Sequence, residues 1–310
     1  MHVIGLGSIG HLVAHHLRAR AGLTVTLLLR NTPRNAAIKA RAGDYQVSVK
    51  TGDTEEHSTG YRIELVDVLA GSSIDTLLVC TKAYDCAAAV RSVMQRLNGQ
   101  SRVLLMNNGL GVTEELESLW KTDKKPRILE AILTHGVYGL GSTEQQSRIC
   151  HAGIGEVTLS SDDLAEPLAS LNTRVLDAVA FRKAQLTKFV VNCCVNPLTA
   201  IHGCYNGQVT RYASAMQFTM QECLTVLACA YPTVPLDAAT VQAALEVVIS
   251  KTANNRSSML QDVSAGRPTE VAYLNERVCV LGNRFSIPTP TNAGLCQQVR
   301  AVTICQSTPR

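Results

Sequence analysis

The sequence predicts an α/β fold followed by an all-α domain, and three observations carry that reading. A glycine-rich segment, Gly5-Leu6-Gly7-Ser8-Ile9-Gly10, follows a short apolar run at the start of the chain and opens a stretch with helical periodicity. Short β-compatible apolar runs then alternate with helical candidates up to about residue 177. Beyond that point strand-like alternation nearly vanishes and long helical stretches take over. Together they predict an N-terminal Rossmann-type dinucleotide-binding domain over 1–178 and a helical substrate and catalytic domain over 179–310.

Taken in order, His2 to Ile4 is a strand stub, short for its place before Gly5. Gly10 to Ala21 has helical periodicity through Leu12, Val13 and Leu17, with Arg18 and Arg20 near its C-terminal end. The runs Thr24–Leu29, Thr76–Cys80, Val103–Met106 and Ile128–Leu133 read as strands, and Asp85–Leu97 and Thr113–Trp120 as helices between them. That alternation implies a parallel sheet with right-handed crossovers. Residues Gln46 to Leu65, with Gly52, Gly60 and mixed polar residues, read as a hairpin or excursion at the sheet edge. The second part reads as helices over Ala184–Ile201, Arg211–Ala230, Leu236–Ser250 and Val271–Leu281, separated by HGCYNG, YPTVP, AGRP and SIPTPTN.

Composition narrows the function. Hydrophobic residues make up 46% of the 310 residues, enough for a substantial core. Lys and Arg number 29 against 25 Asp and Glu, and a net charge of +4 is too small and too dispersed for a nucleic-acid or membrane partner. Small-molecule chemistry is the expectation. The 11 cysteines lie mostly inside apolar runs without CxxC pairing, which fits reduced, buried thiols in a cytoplasmic compartment, the mitochondrion being the other candidate. Adjacent Cys193 and Cys194 diverge on a helix and are expected to pack. The glycine-rich segment begins four residues in, leaving no room for a signal peptide ahead of it, and no apolar run approaches about 18 residues. His11 and His15 have an i, i+4 spacing that can bind metal, but no further ligands lie nearby in sequence, so no metal is expected.

The glycine segment has the pattern of a phosphate cradle. Gly5 would permit the tight turn, Gly7 would let backbone approach a pyrophosphate, and Gly10 would let the helix pack on the sheet, with Leu6, Ser8 and Ile9 completing the loop. An NAD-binding chain would place Asp or Glu at the end of the second strand. Here Arg30 stands there, and residues 1–43 contain six Lys/Arg and no Asp or Glu at all. That combination argues for a 2′-phosphate, hence NADP(H), with Arg34 as a second candidate contact; the bland alternative is a solvated cation at a strand end. Two further segments end strands on the ligand-binding edge: Cys80-Thr81-Lys82 and Asn107-Asn108-Gly109.

In the helical part, Lys188, Asn192 and Asn196 recur at i, i+4, i+8 among Phe189, Val190, Val191, Val195 and Leu198. A lysine and two asparagines in such surroundings are costly to bury without a purpose. With these residues in view the chain resembles the ketopantoate reductase (2-dehydropantoate 2-reductase) family over nearly its whole length. GLGSIG, Arg30, TKAYD around Lys82, NNGLG from Asn107, TKFVVNCCVNPLTAI from Thr187, YNG from Tyr205, NRSSMLQD from Asn255 and PTE ending at Glu270 carry the resemblance.

The resemblance implies reduction of 2-dehydropantoate to (R)-pantoate in pantothenate biosynthesis, with hydride from NADPH. It implies Lys188 as general acid and Glu270 as a carboxylate near the substrate C2 oxygen. Ser258, Asn255, Asn192, Asn196 and Asn206 would contact the substrate, and Lys82 and Asn108 would sit at the cofactor end. Plainer alternatives remain for two of these: Ser258 as a helix cap, and Glu270 as an early-turn carboxylate. Asn107, where relatives often carry His, and Arg256, in a segment more often apolar, depart from the pattern. They leave open a reductase of another short 2-keto acid, and a non-catalytic NADPH-binding protein is the reading from a different class. The long helices and apolar content are compatible with a homodimer. If Arg30 reads the 2′-phosphate, Arg30→Asp should weaken NADPH binding sharply relative to NADH; an unchanged ratio of the two dissociation constants would reject that role.

Overall fold

In a computed structural model of the chain, residues 1–66, 71–121 and 125–307 are described, the side chains of 305–307 excepted. The chain divides into two compact units, one of residues 1–107 with 112–181, the other of 108–111 with 182–310. Among the described residues no helix is long and apolar enough to cross a membrane.

The first unit is built on an eight-stranded sheet. Its members are β1 (His2–Ile4), β2 (Thr26–Leu29), β5 (Arg62–Leu65), β6 (Thr76–Val79), β7 (Arg102–Leu105), β8 (Arg127–Leu133), β11 (Val157–Leu159) and β12 (Thr173–Val175). Their order is β12-β11-β8-β7-β6-β1-β2-β5. From β5 to β8 every pairing is parallel, with His2 opposite both Thr26 and Leu77. The strand order therefore reverses at the β1–β6 neighbours, the switch point of a doubly wound sheet. The central strands β2 and β6 are buried along their whole length, which is why they read as continuous apolar runs and not as alternating ones.

Helices α1 (Ser8–His15), α2 (Pro33–Ala40), α3 (Ala83–Arg91) and α4 (Val112–Glu117) connect these strands. Helix α2 had no counterpart among the sequence expectations, and α1, α3 and α4 each end earlier than their patterns suggested, α3 giving way to a short 3₁₀ turn at Met94–Arg96. The end of the first predicted helix is a π-helical turn over His16–Arg20. Leu12, Val13 and Leu17 nonetheless face the core together, all fully buried.

The excursion at 46–65 is a hairpin only in its first part. Strands β3 (Gln46–Thr51) and β4 (Thr54–Ser58) turn at Gly52, whose φ is +57°. They belong to a separate four-stranded sheet with β9 (Gly136–Ser142) and β10 (Gln146–Gly153), ordered β4-β3-β10-β9. Residues 62–65 become β5, the edge of the main sheet beside β2.

The second unit is helical: α5 (Ala178–His202), α6 (Ala213–Ala230), α7 (Ala238–Lys251), α8 (Ser258–Ser264), α9 (Asn275–Arg284) and α10 (Pro290–Ser307). The predicted Val271 start of the last helix gives way to a 3₁₀ turn, Glu270–Tyr273, before α9. Helix α10 begins with Pro290, where the SIPTPTN cluster suggested only a loop; proline suits a first helical turn, which has no use for its missing N–H. Each unit has its own apolar core. Leu110, Leu186, Phe189, Val190, Cys193 and Val278 lie in that of the helical unit, and Val3, Leu12, Leu27, Leu78 and Leu104 in that of the first.

His11 and His15 serve hydrogen bonds within the first unit. The buried His11 ring donates from Nδ1 to the Gly7 carbonyl at 2.9 Å and accepts at Nε2 from the Tyr45 hydroxyl at 3.1 Å. His15 meets Ser58 Oγ at 2.9 Å. Burial pushes the His11 pKa down from 6.5 to about 4. The unfolded chain takes up this proton near 6.5 and the folded one does not, so stability present above that pH is lost as pH falls toward 4. His11 alone accounts for about 3 kcal/mol of the loss. His11→Gln should therefore flatten the dependence of the urea midpoint on pH across that interval, and a slope equal to wild type would show that His11 is not its source.

Candidate active site

The glycine segment leaves β1 at the switch point. Gly5 has φ +89°, and a Cβ there would lie 2.4 Å from Thr81 N and 2.7 Å from the Cys80 carbonyl carbon, just past the end of β6. A Cβ on Gly10 would lie 2.2 Å from Gly5 O. Only hydrogen at both positions lets the turn and α1 sit this close to the sheet. Gly7 is different: it is exposed, and a Cβ there would meet nothing within 4 Å. Gly7 is also the N-cap of α1, with no side chain capping it and no acidic residue in the first turn. Exposed backbone at the positive end of a helix is suited to an anion. Leu6 and Ile9 pack partly buried against the core, while Ser8 opens the helix. These features fit the dinucleotide cradle that the glycine pattern implies.

Arg30 lies exposed immediately after β2, its carbonyl accepting from Asn35 Nδ2 at 2.7 Å. Arg34 is already engaged: its guanidinium donates to Ser142 O at 3.1 Å and Ser142 Oγ at 2.7 Å. Of the two, Arg30 is the better placed to meet a phosphate. Lys82 is the N-cap residue of α3, partly buried and directly after Thr81 beside Gly5.

In the helical unit Lys188, Asn192 and Asn196 share α5 as their spacing requires. Lys188 Nζ donates to Asn108 Oδ1 at 2.8 Å. Burial lowers the Lys188 pKa from 10.5 to about 8, and the Glu270 carboxylate opposes that fall. Glu270 itself is buried at the start of the 3₁₀ turn. Asn108 reaches Lys188 because the loop it begins is pinned to that turn. Leu110 N donates to Tyr273 O at 3.0 Å, and Gly109, with φ +91°, passes so close that a Cβ would lie 2.5 Å from the same oxygen.

The remaining polar residues are held around α5. The Thr199 hydroxyl donates to the Asn196 carbonyl at 2.8 Å and meets Ser257 Oγ at 2.6 Å. Ser257 Oγ also accepts from Leu260 N at 3.0 Å, so Ser257 is the cap of α8. Ser258, the residue whose plainer reading was a cap, is the first residue inside that helix and partly buried. Asn206 is buried, donates from Nδ2 to Thr252 Oγ1 at 2.9 Å, and takes the Asn255 carbonyl on its backbone N–H at 3.0 Å. Its Oδ1 has no hydrogen-bond partner. A buried acceptor without a donor is costly unless a ligand supplies one. Asn255 is exposed and meets the group through its backbone.

Sequence reasoning missed the residue that keeps α5 intact. Pro197 lies inside that helix and has no N–H, so the carbonyl four residues earlier, that of Cys193, loses its helical donor. Asn275 Nδ2 replaces it at 3.0 Å and also reaches Asn292 Oδ1 at 3.0 Å. Asn292 Nδ2 donates in turn to Glu222 Oε2 at 2.8 Å. The only signal in the sequence was the proline itself.

Comparison with known proteins follows the same division. A family model described as ketopantoate reductase PanE/ApbA matches residues 1–163, and the corresponding C-terminal model matches 180–303. A 2-dehydropantoate 2-reductase of Vibrio cholerae is 30% identical over 97% of this chain and 96% of its own. Among solved structures, a PanE/ApbA family ketopantoate reductase from Ralstonia eutropha superposes with a TM-score of 0.83 at 25% identity, covering 99% of this chain and 100% of its own. A D-mandelate dehydrogenase bound to NADH and anilino(oxo)acetate shares the fold at a TM-score of 0.85 and 19% identity, with both chains covered completely.

The Asn275 side chain offers a direct test of the network under α5. Asn275→Ala should cost about 2 to 4 kcal/mol, because it strands the Cys193 carbonyl in the core and leaves the Asn292 amide oxygen with only the weak Cys223 thiol donor. Urea denaturation measures this, and a loss under about 0.5 kcal/mol would mean that the helix does not need the contact.

Proposed function

The chain belongs to the ketopantoate reductase family, and on that footing we propose that it reduces 2-dehydropantoate to (R)-pantoate with NADPH. The observation that carries the reading is the Lys188 ammonium, hydrogen-bonded to Asn108 at 2.8 Å and electrostatically supported by Glu270 inside an apolar helix neighbourhood.

Reduction of a ketone puts negative charge on oxygen as hydride reaches carbon. A bound nicotinamide supplies that hydride. Lys188 supplies the proton and, before it moves, the positive charge that stabilises the developing alkoxide. Two demands on Lys188 conflict: it must be charged at neutral pH, and it must be acidic enough to give its proton away. Burial meets the second and Glu270 the first, and a pKa of about 8 satisfies both. The bond to Asn108 fixes the direction of the ammonium, so little reorganisation is needed at the moment of reaction. Asn192 and Asn196, one and two turns along α5, together with Asn206 and Ser258, bind the substrate's carboxylate and hydroxyl. Arg30 selects the phosphorylated dinucleotide, and Gly7 with the first turn of α1 receives the pyrophosphate.

One observation favours a second reading. Asn107 stands where relatives often carry His, and its Nδ2 is directed to the Cys86 thiol, so the residue preceding Asn108 is tied to α3 and presents no imidazole. The alternative is reduction of another short 2-keto acid on the same plan. A panel of 2-keto acids assayed by NADPH oxidation decides: a specificity constant for 2-dehydropantoate far below that for another acid would replace the first reading with the second. NADPH binding with no turnover on any member would make the chain a binding protein instead.

Lys188→Ala should lower kcat by on the order of 10² to 10⁴ while NADPH still binds. In the wild type, the rate of reduction should fall as pH rises through about 8, because the deprotonated amine has no proton to give. Glu270→Gln should move that limb to lower pH. Near-normal turnover in Lys188→Ala would remove it as the acid.

A further inference from the structure

The two ends of one amide in the helical unit are held very differently. Asn206 is buried and opens a 3₁₀ turn, Asn206–Tyr212, in the connection from α5 to α6. The chain after α7 is strapped to that turn by its backbone: Asn206 N donates to Asn255 O at 3.0 Å, and Gly207 N to Ala253 O at 2.9 Å. A further contact is made by side chains alone, from Asn206 Nδ2 to Thr252 Oγ1 at 2.9 Å. The other end of the amide, Oδ1, is closed to water and has no hydrogen-bond partner.

The ends of a carboxamide are nearly alike in shape, so its partners decide which way it faces. Thr252 has a single hydroxyl proton, and that proton points to Val248 O at 2.6 Å, one turn back along α7. The same carbonyl takes the Thr252 N–H at 3.0 Å, the back-bonded arrangement of a threonine in a helix. What Thr252 Oγ1 presents to Asn206 is therefore a lone pair. It holds the Nδ2 end; with the amide reversed, two acceptors would face each other.

We propose that Thr252 is a positioning residue for substrate selection, holding the Asn206 amide so that Oδ1 accepts a hydrogen bond from a hydroxyl of the substrate. The role rests on the reductase reading, in which Asn206 touches the substrate, and gives that contact a polarity. A carboxylate brings only acceptors and is repelled there, and a methyl group gains nothing. Because Oδ1 is already cut off from water in the folded chain, its desolvation is met before any ligand arrives, and a hydroxyl that reaches it makes a bond for which no solvent competes. A 2-keto acid carrying a hydroxyl is thus preferred over the same acid without it. 2-Dehydropantoate carries one; 3,3-dimethyl-2-oxobutanoate has the same carbon frame with hydrogen in its place.

Steady-state kinetics of the full-length chain with NADPH test this on those two acids and on a second matched pair, 4-hydroxy-2-oxobutanoate and 2-oxobutanoate. In whichever pair it reduces, the wild type should favour the hydroxylated member by at least about tenfold in kcat/KM. Thr252→Val, close in shape but without the lone pair, should bring that preference to within about threefold of unity by raising KM for the hydroxylated acid with kcat little changed, as expected for a contact remote from the reacting carbonyl. Thr252→Ser should restore it. The backbone straps at 206 and 207 do not use the Thr252 side chain, and the wild-type preference is a readout that needs no variant to fold. A wild-type ratio near one, an equal loss for both members of a pair in Thr252→Val, or a preference that Thr252→Val leaves untouched would each overturn the proposal while the reductase reading stands. A poor rate on 2-dehydropantoate, with the hydroxyl preference and its dependence on Thr252 intact in the second pair, would instead remove the substrate reading and support the positioning role. No turnover of any of these acids would overturn both.

Discussion

The helical unit is organised around keeping one ammonium partly out of water and still charged. Lys188 sits on a helix whose neighbouring side chains, Phe189, Val190 and Val191, are core residues, so desolvation alone would push its proton off. Three parts of the chain answer that cost. Glu270 supplies the opposite charge from the 3₁₀ turn before α9. Asn108 supplies an oriented acceptor from a loop that is sequentially part of the sheet-forming half. Tyr273 holds that loop by its main chain and is itself part of the turn that presents Glu270. One short turn therefore fixes both partners of the ammonium, and a shift of that turn would disturb charge and direction together.

The same helix carries a second constraint. Pro197 interrupts its hydrogen bonds one residue after Asn196, and Asn275, at the start of α9, closes the gap. The α9 region thus touches α5 in two ways, through Glu270 near Lys188 and through Asn275 at Cys193. Asn275 is fully buried and linked by Asn292 to Glu222, so its position depends on a network spanning α6, α9 and α10. Cooperative polar networks of this kind specify geometry strongly when their members are paired.

What the sequence disclosed followed from periodicity and from residues that are costly where they stand. The parallel sheet was legible because its central strands are buried on both faces and read as unbroken apolar runs. Lys188, Asn192 and Asn196 were legible because a polar stripe in an apolar helix is an energetic anomaly. The second sheet was not: β9 carries Gly136, Gly139 and Gly141 and is mostly exposed, so neither propensity nor alternation marks it, and its pairing with distant β3 through β10 is a long-range choice. The cap at Ser257 and the strap at Asn275 were equally hidden. Two adjacent serines offer the same local signal, and an asparagine that serves a carbonyl 82 positions away leaves no local pattern at all.

The three glycines of the cradle separate fold from function in a way the motif alone does not. Gly5 and Gly10 are fixed by the chain itself, because a Cβ at either would overlap backbone atoms at 2.4 and 2.2 Å, and backbone cannot swing aside as a side chain can. Their requirement would persist in a protein that bound nothing. Gly7 has no such neighbour and has ordinary extended backbone, with φ −82°, so the folded chain would accept a side chain there at little cost. At an exposed helix N-terminus with no acidic residue in the first turn of α1 or anywhere in residues 1–43, the freedom of Gly7 leaves the backbone N–H groups open on a face that suits a negatively charged group.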